Sequence, residues 1–274
     1  MGNYAGQRRG SGMIKSGVCS VTFRQFEIET VTGLVKEAGL DGIEWGGDVH
    51  VPPGDIVAAK KARQVTRNAG LEISSYGSYY FVLDVNGREQ DFAPVLESAL
   101  ALGTNTIRIW PGAQPSEVAT DDYRSRFVNK IRADLDAAAV HGIRLALEFH
   151  VNSLSDSSAT ALALLKAVNH PNLYTYWQPM YWVADVDYRF QGLEKLADQV
   201  LNLHVFQWLF HPMCGGWGDN IERLPLAAGR TEWPRYFSAD FLDGDHYALL
   251  EFVKDDDPEQ FRRDATVLKK WLAG

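Results

Sequence analysis

Two glutamates close apolar runs in this chain, Glu148 after Leu145-Ala146-Leu147 and Glu251 after Leu249-Leu250. A carboxylate in that position is costly to bury unless it is paired, hydrogen-bonded or bound to a metal. His204 follows Leu201-Asn202-Leu203 and Gln178 follows Tyr176-Trp177, so four runs each end in one oxygen or nitrogen donor. Singly, each has a plainer explanation, a loop hydrogen bond for a glutamate or a satisfied core position for the histidine. Together, Glu148, Gln178, His204 and Glu251 make a ligand set for one divalent cation. With no thiolate the set suits Mn²⁺ first, then Mg²⁺, Co²⁺ or a catalytic Zn²⁺. Two carboxylates beside such an ion can move the proton next to a carbonyl, which makes Glu148 and Glu251 the expected acid–base pair.

Other residues are placed to meet a substrate. His150 lies two positions beyond Glu148, on the same side of an extended strand, where it can bind a substrate oxygen or orient Glu148. His50, in Trp45-Gly46-Gly47-Asp48-Val49-His50, can reach the same end of the fold, with Asp48 capping the turn. Arg108, in Ile107-Arg108-Ile109-Trp110, is set either to contact an anionic or hydroxyl-rich substrate or to pair with a neighbouring strand. Trp45, Trp110, Trp177, Trp182 and Trp208 fall at or just after the ends of apolar runs, as do Tyr76, Tyr79 and Tyr80. Aromatic walls with a few polar groups suit a sugar, and Trp45 and Trp110 are the expected stacking residues.

The elements that must carry these side chains follow from one recurring pattern: an amphipathic helix, a small residue, a glycine, then an apolar run. It occurs at Gly39, Gly70, Gly103 and Gly142. Strands are expected at Ser16–Thr22, Gly42–Trp45, Leu71–Tyr76, Thr106–Trp110, Ile143–Phe149, Leu173–Gln178, Leu201–Gln207 and Tyr247–Phe252. Between two of them, Phe127, Ile131, Leu135 and Ala138 mark the buried stripe of a helix capped by Thr120, with Asp121 and Asp122 in its first turn. A last helix spans Pro258–Leu272. Eight strand–helix units predict a (β/α)8 TIM barrel in a single domain, with a doubly wound open sheet as competitor. No G-x-G-x-x-G follows the first strand, which removes a dinucleotide site. Residues 1–12 read as a flexible leader or an expression remnant, and 13–274 as the catalytic domain. The stretch 208–245 is too long for an ordinary loop and reads as a lid or substrate wall.

Composition narrows the partners. The 274 residues carry 27 Lys and Arg against 35 Asp and Glu, a net charge of −8, so phosphate-backbone binding is disfavoured and no nucleic-acid partner is expected. Cys19 and Cys214 are too few for a disulfide framework, which fits a reducing, cytoplasmic setting. No apolar run reaches membrane-spanning length, so no membrane partner is expected.

The motifs Gly42-Ile43-Glu44-Trp45 with His50, Leu147-Glu148-Phe149-His150, His204, Leu224-Pro225-Leu226 through Gly229 to Trp233, and Leu249-Leu250-Glu251-Phe252 together resemble the xylose isomerase-like barrel superfamily. The resemblance runs from about Gly17 to Trp271, within the sugar phosphate isomerase/epimerase group that includes ketose 3-epimerases, hydroxypyruvate isomerase and inosose dehydratase. It implies a divalent ion at the barrel mouth held by Glu148, Gln178, His204 and Glu251. Gln178 stands where that group usually has Asp, and Tyr181 where the ketose 3-epimerases have His. The amide removes one negative charge, implying weaker metal binding but a more Lewis-acidic ion. The implied activity is isomerisation or epimerisation of a sugar or keto-sugar through an enediolate. The alternative is a lyase, dehydratase or 3-keto-glycoside cleaving, using the same metal and glutamates. An abasic-site endonuclease and a non-catalytic partner subunit rank lower. A homo-oligomer is also compatible with the resemblance.

Overall fold

Each of the four recurring glycines ends its helix with a positive φ, between 65° at Gly39 and 79° at Gly70, where a Cβ would clash. The chain then turns straight into a strand. The computed structural model describes residues 14–211, 220–238, 242 and 245–274. The expected leader and the Gly215–Gly218 part of the long stretch lie outside these residues.

Eight parallel strands close on themselves: β1 (Ile14–Cys19), β2 (Gly42–Gly46), β3 (Glu72–Phe81), β4 (Thr106–Trp110), β5 (Arg144–Leu147), β6 (Leu173–Trp177), β7 (Val200–Val205) and β10 (His246–Leu250). The closing pair joins β1 to β10 through Ile14–His246 to Val18–Leu250. Helices α1 (Ile28–Ala38), α2 (Ile56–Asn68), α3 (Ala93–Leu102), α4 (Asp121–Ala139), α5 (Ser158–Val168), α6 (Val186–Leu196) and α8 (Pro258–Leu272) follow strands around the outside. This is the TIM barrel, and the open sheet is excluded by its closure. Thr120 caps α4 by accepting from the Tyr123 amide, and the expected stripe Phe127, Ile131, Leu135 and Ala138 is buried.

The long stretch after β7 contributes a two-stranded hairpin, β8 (Trp208–Phe210) with β9 (Ile221–Arg223), and the short helix α7 (Trp233–Phe237). The main core lies between strands and helices. A smaller one, of Cys19, Val21, Ala146, Tyr176, Leu201 and Leu249, fills the barrel interior. No helix among the described residues is long and apolar enough to cross a membrane.

β3 departs most from expectation, running to Phe81 instead of ending at Tyr76. Two irregularities explain it. Ile43 pairs with Ile73 but Glu44 with Ser75, so Ser74 is an extra residue. Then Gly77 pairs with Arg108 and Phe81 with Trp110, so Ser78, Tyr79 and Tyr80 face a single residue of β4. Such bulges re-aim side chains. Tyr79 takes φ 55° there, a conformation rare for a bulky residue.

Candidate metal centre

Alternation along each strand sends every second side chain inward, and at the C-terminal ends the inward residues are polar. Glu148 follows β5, its amide bonded to the Ile109 carbonyl at 2.9 Å; Glu251 follows β10, its amide bonded to the Val205 carbonyl at 3.0 Å. Gln178 follows β6 and His204 lies in β7. All four are buried. His204 Nδ1 sits 3.2 Å from Gln178 Oε1 and 3.3 Å from Glu251 Oε2. Ligand atoms of Glu148, His204 and Glu251 lie within 4.8 Å of one another. The four expected ligands are therefore neighbours.

Arg108 is the cation of the site. It is 1% exposed, its Nε donates to Glu44 Oε1 at 2.9 Å, and its Nη1 is ion-paired with Glu148 Oε2. Both fates expected for Arg108 start from this position: it pairs with neighbouring strands, and it does so at the mouth. The Tyr79 ring lies 5.4 Å from its guanidinium carbon. Gly77 makes room for the pair, since a Cβ there would stand 2.6 Å from Arg108 Nη2 and 2.7 Å from Glu44 Oε1. Glycine inside a strand commonly marks such a close approach.

Glu44 is a member of this buried cluster that the strand-end reading missed. It accepts from Ser75 Oγ at 2.8 Å, an aim set by the β3 bulge, and stands 3.8 Å from His204 Nε2. Its signal was available: a glutamate inside Gly42-Ile43-Glu44-Trp45-Gly46 and an arginine inside Ile107-Arg108-Ile109 are opposite charges in apolar strands. Burial alone would push the Glu44 carboxyl up, but the Arg108 guanidinium and His204 hold it well below the usual range. Burial likewise opposes ionisation of Glu251, and His204 beside it outweighs this and lowers it. For His204 burial favours the neutral ring, yet Glu251 raises the imidazolium well above the ordinary histidine value.

Trp45 and His50 are not at the mouth, which corrects two expected substrate contacts. Trp45 follows the inward Glu44, so its side chain turns to the opposite face. Its indole donates to Thr66 Oγ1 of α2 at 3.0 Å. His50 packs on that ring at 5.5 Å, with Nε2 3.0 Å from the Phe26 carbonyl. Asp48 pairs with Arg24. Tyr76 is tied to the Val51 carbonyl, and Trp177 packs against Tyr236, so both belong to the outer core.

Trp110 and His150 do meet. Their rings lie 4.5 Å apart, and Trp110 stacks on Phe81 at 4.9 Å. Across the mouth, Tyr181 packs edge-on against Trp182 and Trp208, and Trp208 stacks on Phe206 at 4.1 Å. A cavity of about 570 Å³ opens beside β3, lined by Tyr79, Phe81, Asp84 and Ala113 among others but by none of the four ligand residues. Tyr79, whose ring lies beside Arg108, and Ser78, whose hydroxyl donates to the Arg108 carbonyl, link it to the centre.

The donor set fits a divalent ion. In this cluster Glu44, Glu148 and Glu251 are three buried carboxylates facing one permanent cation, Arg108. With His204 neutral, two negative charges are left, which is the charge of one divalent ion.

Comparison with known proteins agrees with this architecture. A 3-dehydroshikimate dehydratase of Bacillus anthracis is 26% identical, covering 87% of this chain and 91% of its own. The crystal structure of a probable 3-DHS dehydratase involved in petrobactin synthesis, also from Bacillus anthracis, superposes with a TM-score of 0.76 at 21% identity, over 94% of this chain and 99% of that one. A xylose isomerase-like TIM barrel protein from Mycobacterium smegmatis in complex with magnesium gives 0.72 at 16% identity, over 94% and 96%. A D-psicose 3-epimerase gives 0.67 at 15% identity, over 95% and 100%. The model of the xylose isomerase-like TIM barrel family matches residues 33–271, and this chain belongs to that family.

Proposed function

We propose that this barrel removes the proton next to a carbonyl in a small hydroxyl-rich keto compound, with a divalent ion held by Glu148, Gln178, His204 and Glu251. The convergence of Glu148, His204 and Glu251 ligand atoms within 4.8 Å carries this reading. An ion there would supply Lewis acidity, making the C–H on the carbon next to a carbonyl more acidic. The protein residues supply position and proton transfer. Arg108 pins Glu148 through Oε2. Trp110, stacked on Phe81, offers a flat face to the C–H side of a ring.

Two outcomes share this first step. If Glu148 and Glu251 pass the proton to the opposite face or to the neighbouring carbon, the substrate is epimerised or isomerised. If a leaving group lies β to the carbonyl, it is expelled and the enzyme is a lyase. We favour elimination because of His150. Its Nδ1 is 2.6 Å from the Val151 carbonyl, a contact that selects the neutral tautomer with the proton on Nδ1 and the lone pair on Nε2. An elimination needs one base for the α-proton and one acid to protonate the leaving group, roles that His150 and a mouth glutamate can divide, whereas epimerisation needs two bases on opposite faces. The breadth of the match to a dehydratase supports the same choice.

Incubation with Mn²⁺ in D₂O, across ketoses, keto-glycosides and hydroxylated cyclic ketones, tests the reading. An eliminated product is expected. Deuterium at the α-carbon of a rearranged sugar would instead assign an isomerase or epimerase. Proton-transfer variants should be silent without unfolding: Glu148→Gln, Glu251→Gln and His150→Gln each lose about 10²–10⁴-fold in turnover with unchanged circular dichroism. Wild-type turnover in His150→Gln would refute its role as base.

A further inference from the structure

Beneath the mouth, a second group of donors meets the other side of the same imidazole. Cys19, at the end of β1, pairs in register with Glu44 of β2, so both project into the barrel interior. Ligand atoms of Cys19, Glu44 and His204 all lie within 4.8 Å of one another. The three residues are 1%, 1% and 0% exposed. His204 Nε2 faces this group, buried and without a hydrogen-bond partner. Its nearest anionic neighbour is Glu44 Oε1, 3.8 Å away. This buried ring nitrogen has a thiol and a carboxylate as neighbours, yet meets neither at hydrogen-bonding geometry, which leaves all three donors turned toward one point.

We propose that Cys19, Glu44 and Nε2 of His204 form a thiophilic metal position beneath the mouth site, taking Cd²⁺, Zn²⁺ or Co²⁺, and that the two positions exclude each other. One thiolate, one imidazole and one carboxylate are a donor set for these ions, leaving a fourth position for water. Binding releases the thiol proton, since a coordinated thiol is deprotonated. Exclusion follows from the ring itself. A neutral imidazole has one lone pair, so coordination through Nε2 places the proton on Nδ1, which then faces Gln178 and Glu251 as a donor and no longer as a ligand.

Charge sorts the ions between the two positions. An ion at the mouth balances Glu148 and Glu251 while Arg108 offsets Glu44, and the only proton to leave is the one His204 must give up at either position. An ion at the deep position must ionise Cys19, and it leaves both mouth carboxylates to share Arg108. Only an ion with high thiolate affinity repays that difference. Hard ions such as Mn²⁺ and Mg²⁺ are therefore kept at the mouth, and a soft ion bound at the deep position excludes them.

The deep position itself does not depend on the proposed reaction; the exclusion depends on the mouth ligands. Titration of the full chain with Cd²⁺, and separately with Co²⁺, reads the thiolate-to-metal charge-transfer absorbance. One equivalent per chain is expected, retained in Cys214→Ser and lost in Cys19→Ser and Cys19→Ala, with circular dichroism checking that both variants fold. Absence of the band in the wild type, or its survival in folded Cys19→Ser, overturns the site. Mn²⁺ bound beforehand, followed by electron paramagnetic resonance, should be released as Cd²⁺ enters the wild type and should bind Cys19→Ser as before. Simultaneous occupancy by both ions overturns the exclusion. A Cys19-dependent band in protein that binds no Mn²⁺ supports the deep position and fails the mouth reading instead.

Discussion

The two halves of the barrel interior handle buried charge differently. On the β2–β5 side, Glu44 and Glu148 share Arg108, Ser75 donates a further hydrogen bond to Glu44, and Gly77 clears the space between the charges. On the β6–β10 side, Glu251 has His204 as its ion-pair partner among the described residues, and the neighbouring Gln178 brings no charge. The first half carries its own cation and is a structural and orienting device. The second, on the proposed reading, is completed by a cation from solution. A buried ion pair holds position well, but it is binding from outside that makes a site responsive.

The largest expected effect comes from breaking the self-compensated half. Arg108→Met strands two buried carboxylates and should cost about 3–5 kcal/mol of stability, measured by urea denaturation of the metal-free protein. The same variant should alter acid stability. Because the folded Glu44 carboxyl is held below its unfolded value of about 4.3, its contribution is full above that pH and fades as pH falls. Removing Arg108 takes away the largest of the causes that lower it, so the acid limb should flatten. An Arg108→Met protein as stable as wild type would show that the two halves do not differ.

Next in size is completion of the open half. At about 100 times its dissociation constant, Mn²⁺ should stabilise the wild type by about 2.7 kcal/mol, and Glu251→Gln should lose this gain. Equal stabilisation of both proteins would move the ion elsewhere. Gly77→Ala should cost about 1–3 kcal/mol, because the added methyl must displace Arg108 and Glu44 from their contact. It should leave the Mn²⁺ gain largely in place, which separates the halves directly. Smallest is Gln178→Asp, which adds a charge to the open half and should tighten Mn²⁺ binding by about tenfold in a calorimetric titration.

Much of this was legible in one dimension. The strands and the last helix, Pro258–Leu272, follow from glycine-punctuated apolar runs, and Thr120 with Asp121 and Asp122 announces the start of α4. Glu148, Gln178, His204 and Glu251 were recognisable because polar donors closing apolar strands are individually expensive. Trp45 was misread because its place at a strand end was weighed without its parity: it sits one residue from Glu44 and must face the other way. Glu44 was passed over because attention fell on strand ends, while the pairing that explains it joins residues 64 positions apart. The bulges that aim Ser75 and Tyr79 leave little trace beyond Gly77 and the unusual length of β3.

Local chemistry settled which segments alternate, where helices stop, and which residue types a buried end could tolerate only with a partner. Those properties depend on a few neighbours along the chain, so composition and spacing carry them. Who the partner is depends on closure of the barrel, on strand register and on the bulges, which together set distances between residues far apart in the chain. Only the assembled barrel places Arg108 between two of its three carboxylates and leaves the third, Glu251, beside a histidine.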